Sequence, residues 1–187
     1  MTVVCTLWLP ILLSAVFAFV ASFILHVPLP WHKGDYGKVP DEDKVMDALR
    51  PFAIPAGDYM LPRPDRPKDM KSPEFAERLK KGPVVILTVI REKCFGGMGK
   101  NLALWFVYLL VISLLTAYVS CHALPVGAGH RRVFRIAGVT SFLGYAPALW
   151  QMSIWYQRSC KTTIKDTVDG LIYAALTAVT FACLWPR

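Results

Sequence analysis

Two pairs of histidines are the residues in this sequence best suited to chemistry. His26 and His32 form one pair, and His122 and His130 the other. Haem, copper and quinone sites in membranes use imidazole, and its charge changes near neutral pH. Each pair flanks an apolar stretch, and the two pairs fall at opposite ends of such stretches. A bilayer thickness would separate them, so they cannot share one ion. Within each pair a two-ligand site has the required residue types. Interfacial hydrogen bonding is the favoured reading, and no cofactor or metal is expected. His26 and His32 are the candidate cofactor-binding residues.

Other motifs carry less. Asp169 is the one acid near the fourth apolar stretch, where it is expected to cap a helix start. A buried acid inside a span would point to proton or ion movement, and none is expected elsewhere. The run Cys94-Phe-Gly-Gly-Met-Gly-Lys100 has the flavour of a phosphate loop. That motif needs Gly five positions before Gly-Lys and Ser or Thr after it, where Cys94 and Asn101 stand. A turn entering a helix is expected there. The five cysteines form no CxxC pair, which argues against a disulfide scaffold or structural zinc. No Ser/His/Asp or Cys/His set and no paired carboxylate is visible, so no catalytic residue is assigned.

The elements that must position these groups are four apolar stretches, about 3–25, 102–123, 133–155 and 168–185. Each is close to the ~20 residues that carry a helix across a bilayer's hydrocarbon core. Arg135 and Asp169 are the only formal charges within them. The expected fold is an all-α membrane protein: four transmembrane helices with a small α+β extramembrane insert between helices 1 and 2. The first stretch lacks a basic n-region and exceeds the usual signal-peptide core, so 1–26 is expected to stay as helix 1. Helices 2–4 occupy 102–187. The net charge of +8 suits basic loops at a membrane face. No basic run interleaved with aromatics suggests nucleic acid. The lipid bilayer is the first partner expected, and other membrane-protein subunits the second.

The insert, 27–101, holds fourteen Lys or Arg, eleven Asp or Glu and ten of the fourteen prolines. Acids crowd the first turn of a short helix over 41–50. Ser72 as N-cap, Pro73 at N1 and Gly82 at the end delimit a second helix. The run 84–90 is rich in β-branched residues and reads as a buried strand that must pair. Residues 58–61 are a candidate partner within the chain. Four spans would place the insert and the 156–167 loop on one side with most of the Lys and Arg. That side is expected to be cytoplasmic, with both termini outside. Ala137, Gly138, Ser141 and Gly144, with Ala174 and Ala178, offer small-residue faces for helix packing or partner docking. Pro147 is expected to kink the third span.

The stretch Leu29-Pro-Trp-His-Lys-Gly-Asp-Tyr36, with Pro40-Asp-Glu-Asp43, Gly82-Pro83, Asp169-Gly-Leu-Ile-Tyr-Ala174 and Leu184-Trp-Pro186, resembles a family of uncharacterised small bacterial four-span membrane proteins. The resemblance implies a bacterial inner (cytoplasmic) membrane and brings no activity, cofactor or site residue. The functional expectation is a non-catalytic accessory or assembly subunit of a larger membrane complex. A small membrane enzyme or redox-associated protein using the His26/His32 region is the alternative. A small transporter comes third.

Overall fold

A computed structural model describes residues 6–90 and 97–187. Cys5 and the first three residues of the Cys94–Lys100 run, Cys94 included, lie outside the described residues. The chain divides into two compact units: Met1–Gly37 with Gly99–Arg187, and Lys38–Met98.

The first unit is helical. It contains α1 (Trp8–His26) and, after residues 38–97, α4 (Met98–Ala123), α5 (His130–Tyr145), α6 (Trp150–Tyr156) and α7 (Cys160–Cys183). In the second unit lie α2 (Glu42–Leu49), β1 (Gly57–Leu61), α3 (Pro73–Lys81) and β2 (Val85–Val89). Among the described residues α1, α4 and α7 are long and apolar enough to cross a membrane. The third apolar stretch is not the single helix expected from its hydropathy. α5 stops at Tyr145, a 3₁₀ turn takes Pro147–Leu149, and α6 resumes at Trp150. Pro147 has no N–H to continue the ladder, and its ring collides with the preceding turn. A kink was expected, and the helix instead breaks.

Two buried clusters organise the first unit. One joins Leu7, Ala117, Val133, Ala137, Phe181 and Trp185. The other joins Ala15, Ala18, Leu109, Ile112, Tyr145, Tyr173 and Ala174. The first holds the start of α1 and α5 with the end of α4 and α7, so α1 and α5 run one way and α4 and α7 the other. α7 packs against both α1 and α5. Small residues make the α5–α7 approach close: a Cβ on Gly138 would lie 3.3 Å from Ala178 Cβ, and one on Gly170 only 2.7 Å from Ala146 Cβ. Ala137, Ser141, Ala174 and Ala178 are all buried in that packing. Ser14 donates to Ser113 across α1 and α4 at 2.9 Å, and Tyr108 on α4 donates to the Gly144 carbonyl of α5 at 2.7 Å.

In the second unit β1 and β2 pair antiparallel from Gly57↔Val89 to Leu61↔Val85. The strand over 84–90 therefore finds its partner inside the chain. Thr88 donates to its cross-strand neighbour Asp58 at 2.6 Å, a pairing that fixes register. The Ser72 hydroxyl accepts from Phe75 N at 3.1 Å and caps α3. β2 was expected to be buried, yet Val85 and Ile86 are exposed. Two strands leave a sheet face uncovered unless a third element packs on it.

Candidate functional site

Where α1 ends and α7 begins, five polar side chains converge. α1 delivers His26 on its last turn. The chain then makes the 3₁₀ turn Pro30–His32, which carries Trp31 and His32 toward α7, with Asp35 just beyond. α7 starts at Cys160, so Lys165 and Asp169, four apart, share a face in its second and third turns. Asp169 is thus no helix cap: it is embedded in α7 and 3% exposed, which corrects the expected position. Hydropathy alone began this helix near Val168, because Lys161, Lys165 and Asp166 lower the average ahead of it.

The network is continuous. Trp31 donates its indole N–H to Asp169 Oδ1 at 3.1 Å. His32 stands between two carboxylates, with Nε2 2.7 Å from Asp169 Oδ2 and Nδ1 2.5 Å from Asp35 Oδ2. Lys165 donates to Asp35 Oδ1 at 2.5 Å and to the Trp31 carbonyl at 2.7 Å. Ionised carboxylates only accept, so a His32 bonded to both donates from both nitrogens and is an imidazolium. Burial pulls the His32 pKa down, but hydrogen bonds to Asp35 and Asp169, with the charge of both, outweigh it and raise it above the usual value. The hydrogen bond from Lys165 lowers the Asp35 pKa. Burial works against that, and His32 adds to the lowering.

His26 is the exposed member. Its ring stacks on that of His32, centroids 4.1 Å apart and 9° from parallel. Its Nδ1 faces the Ser22 carbonyl at 2.9 Å and its Nε2 faces Asp169 Oδ2 at 4.0 Å. The two candidate histidines are therefore side by side. The other pair is not assembled this way: His122 Nδ1 turns back to the Tyr118 carbonyl at 2.7 Å. Asp35, Lys165 and Trp31 were missed by sequence reasoning. The signal available was Lys165 and Asp169 at one-turn spacing, readable only once the helix start is moved back to Ser159-Cys160.

Beside the cluster a cavity of about 780 Å³ opens among α1, α4, α5 and α7. Phe19, Phe23, Leu102, Trp105 and Tyr108 give it apolar walls, and His26 and Asp169 mark its polar end. Trp105, Tyr108, Tyr145 and Tyr173 form a chain of ring contacts along it, with centroids 5.3–6.4 Å apart. Trp105 is pinned by its N–H to Ser22 Oγ at 3.1 Å. Tyr145 and Tyr173 lack such a bond. Ser113 and Thr177 lie near the first hydroxyl and Ser22 near the second, but neither forms a hydrogen bond of ordinary geometry among the described residues.

No protein-family model, curated protein or solved structure matches this chain.

Proposed function

We propose that this chain is a multi-pass membrane protein that binds an amphipathic small molecule, its apolar part in the cavity and its polar head at the His32–Asp169 pair. The observation that carries the reading is the buried carboxylate at the end of an aromatic-walled cavity. About 780 Å³ falls within the range of sites that enclose small ligands, which are mostly apolar with a few convergent polar groups. Ionisable groups kept inside membrane-crossing segments are costly and mark functional sites by default. The two unpaired tyrosine hydroxyls are further hydrogen-bonding capacity left over by the protein itself. An accessory-subunit role leaned on small-residue faces and an unpaired strand. Both are engaged within the chain, and the weight moves to the cavity.

The broken third stretch is taken as a fourth crossing, α5 entering and α6 leaving, and the His32–Asp169 end is assigned to the cytoplasmic face on the charge of its flanks. The test of function is extraction. Protein purified in mild detergent is washed, denatured in organic solvent, and its small molecules identified by mass spectrometry. One amphipathic species near one per chain is expected, reduced several-fold in Leu102→Trp, which puts a larger side chain in the cavity wall, and in Asp169→Asn. Recovery of bulk lipids alone, in the proportions of the membrane and unchanged in the variants, would overturn the reading.

A further inference from the structure

We propose that His26, His32 and Asp169 form a binding site for a divalent transition-metal ion, with Asp35 orienting His32. The ligand atoms of the three residues all lie within 4.8 Å of one another. Each imidazole has one nitrogen already committed. Nδ1 of His26 faces the Ser22 carbonyl and Nδ1 of His32 faces the Asp35 carboxylate. Both partners only accept, so each Nδ1 carries hydrogen, and in the neutral ring each Nε2 offers a lone pair. His32 Nε2 lies 2.7 Å and His26 Nε2 4.0 Å from the same oxygen, Asp169 Oδ2. Such a meeting needs a cation between its members, and without a metal the Nε2 proton of His32 takes that place.

The surroundings fit a metal ion in three further ways. The Asp35–His32–Asp169 order, carboxylate to Nδ1 and Nε2 to the centre, is the outer-shell arrangement that fixes ligating histidines in metalloproteins. Lys165 balances Asp35 and the His32 imidazolium balances Asp169; a metal ion at Nε2 would take over that balancing charge as the proton leaves. Imidazole with carboxylate suits zinc or iron(II) rather than magnesium or calcium. A second grouping, His32, Asp35 and Asp166, has similar spacing. Its acids are engaged already, Asp35 by Lys165 at 2.5 Å and Asp166 by Arg158 at 2.9 Å.

Metal–nitrogen bonds of about 2.0–2.1 Å put neighbouring ligand atoms roughly 3.3 Å apart. His32 and Asp169 must therefore open slightly from 2.7 Å, and His26 must close from 4.0 Å. The two rings are stacked nearly parallel, so their in-plane lone pairs converge only when His26 turns; half exposed on the last turn of α1, it is free to turn and close. Three protein ligands leave at least one position open. His26 and Asp169 border the cavity, so that position is reachable from it. The metal site stands whether or not the cavity holds an amphipathic molecule.

The test uses the full chain in detergent, treated with chelator and with its cysteines alkylated, then titrated with Co²⁺ and competed with Zn²⁺. One Co²⁺ per chain with visible d–d bands, displaced by Zn²⁺, is expected. His26→Ala and Asp169→Asn should each weaken binding ten-fold or more. Asp35→Asn should weaken it about 10–100-fold, the usual effect of an outer-shell partner, and Asp166→Asn should leave it unchanged. If Asp169→Asn does not fold, His26→Ala at its exposed position decides the matter. Absence of stoichiometric uptake, or uptake that His26→Ala leaves intact, would sink the proposal. The readout is the metal alone, so it is separate from the extraction test of the amphipathic ligand.

Discussion

Lys165 donates to the carboxylate of Asp35 and to the carbonyl of Trp31, and its ammonium lies 5.8 Å from the centre of the Trp31 ring. One side chain thus ties α7 to the turn that carries His32. Both members of the Lys165–Asp35 pair are largely buried, at 14% and 9% side-chain exposure. Removing one member of a buried pair leaves the other uncompensated, a loss of about 3 kcal/mol. Lys165→Met should lower the melting temperature of the detergent-solubilised protein by several degrees. Lys165→Met with Asp35→Asn should recover part of that loss, because no bare charge remains. A double variant as unstable as the sum of the two singles would show that the pair is not coupled. His26 and His32 were legible as a pair from their spacing across one interface. Asp169 was visible but misplaced, because a hydropathy window cannot see that a polar first turn belongs to an apolar helix. Asp35 carries no local pattern and Lys165 only its one-turn spacing from Asp169: the two meet because α1 and α7 pack side by side.

Among the elements, α5 packs closely against both α7 and α4, and the glycines Gly170 and Gly144 at these two contacts differ in kind. A Cβ on Gly170 would meet Ala146 Cβ at 2.7 Å and Tyr145 Cβ at 3.3 Å, atoms close to a backbone that cannot yield. On Gly144 it would meet Ile112 Cδ1 at 2.6 Å, the far end of a side chain that can change rotamer. Alanine also gains up to ~1 kcal/mol over glycine in a helix, while overpacking costs about 1–3 kcal/mol. Gly170→Ala should therefore be destabilising by thermal melting, with Gly144→Ala near the wild type. The reverse order would mean that α5 is not held against α7 as described. Gly170 follows Asp169 directly, so Gly170→Ala should also disturb Co²⁺ binding. The small-residue spacing was readable in the sequence, as was the signal of Pro147. That Pro147 would end α5 outright was not, because the outcome depends on Ala146 being pressed against Gly170. Ser72, Pro73 and Gly82 delimited α3 by local capping alone, which is why its ends were legible.

For the molecule as a whole, the helix directions and the charges bear on one question, which face of the membrane the site occupies. α1 and α5 run opposite to α4 and α7, with Leu7, Val133 and Phe181 gathered at one end and the His32–Asp169 network at the other. α7 has 24 residues, about 36 Å at 1.5 Å per residue, enough to cross a hydrocarbon core of ~30 Å. Cys160 at its start and Cys183 at its end, both exposed, then report opposite faces. The end with Cys160 also carries Lys33, Lys100, Arg158, Lys161 and Lys165, the small excess of Lys and Arg on which the proposed cytoplasmic assignment rests. The other end has Arg131, Arg132, Arg135 and Arg187. A variant keeping Cys160 as its single cysteine should resist a membrane-impermeant maleimide in right-side-out vesicles and react in inverted ones. The site would then draw its polar ligand, proton or metal from the cytoplasm. Reaction of Cys160 in right-side-out vesicles would turn the molecule over, and with it the compartment from which His26, His32 and Asp169 are supplied.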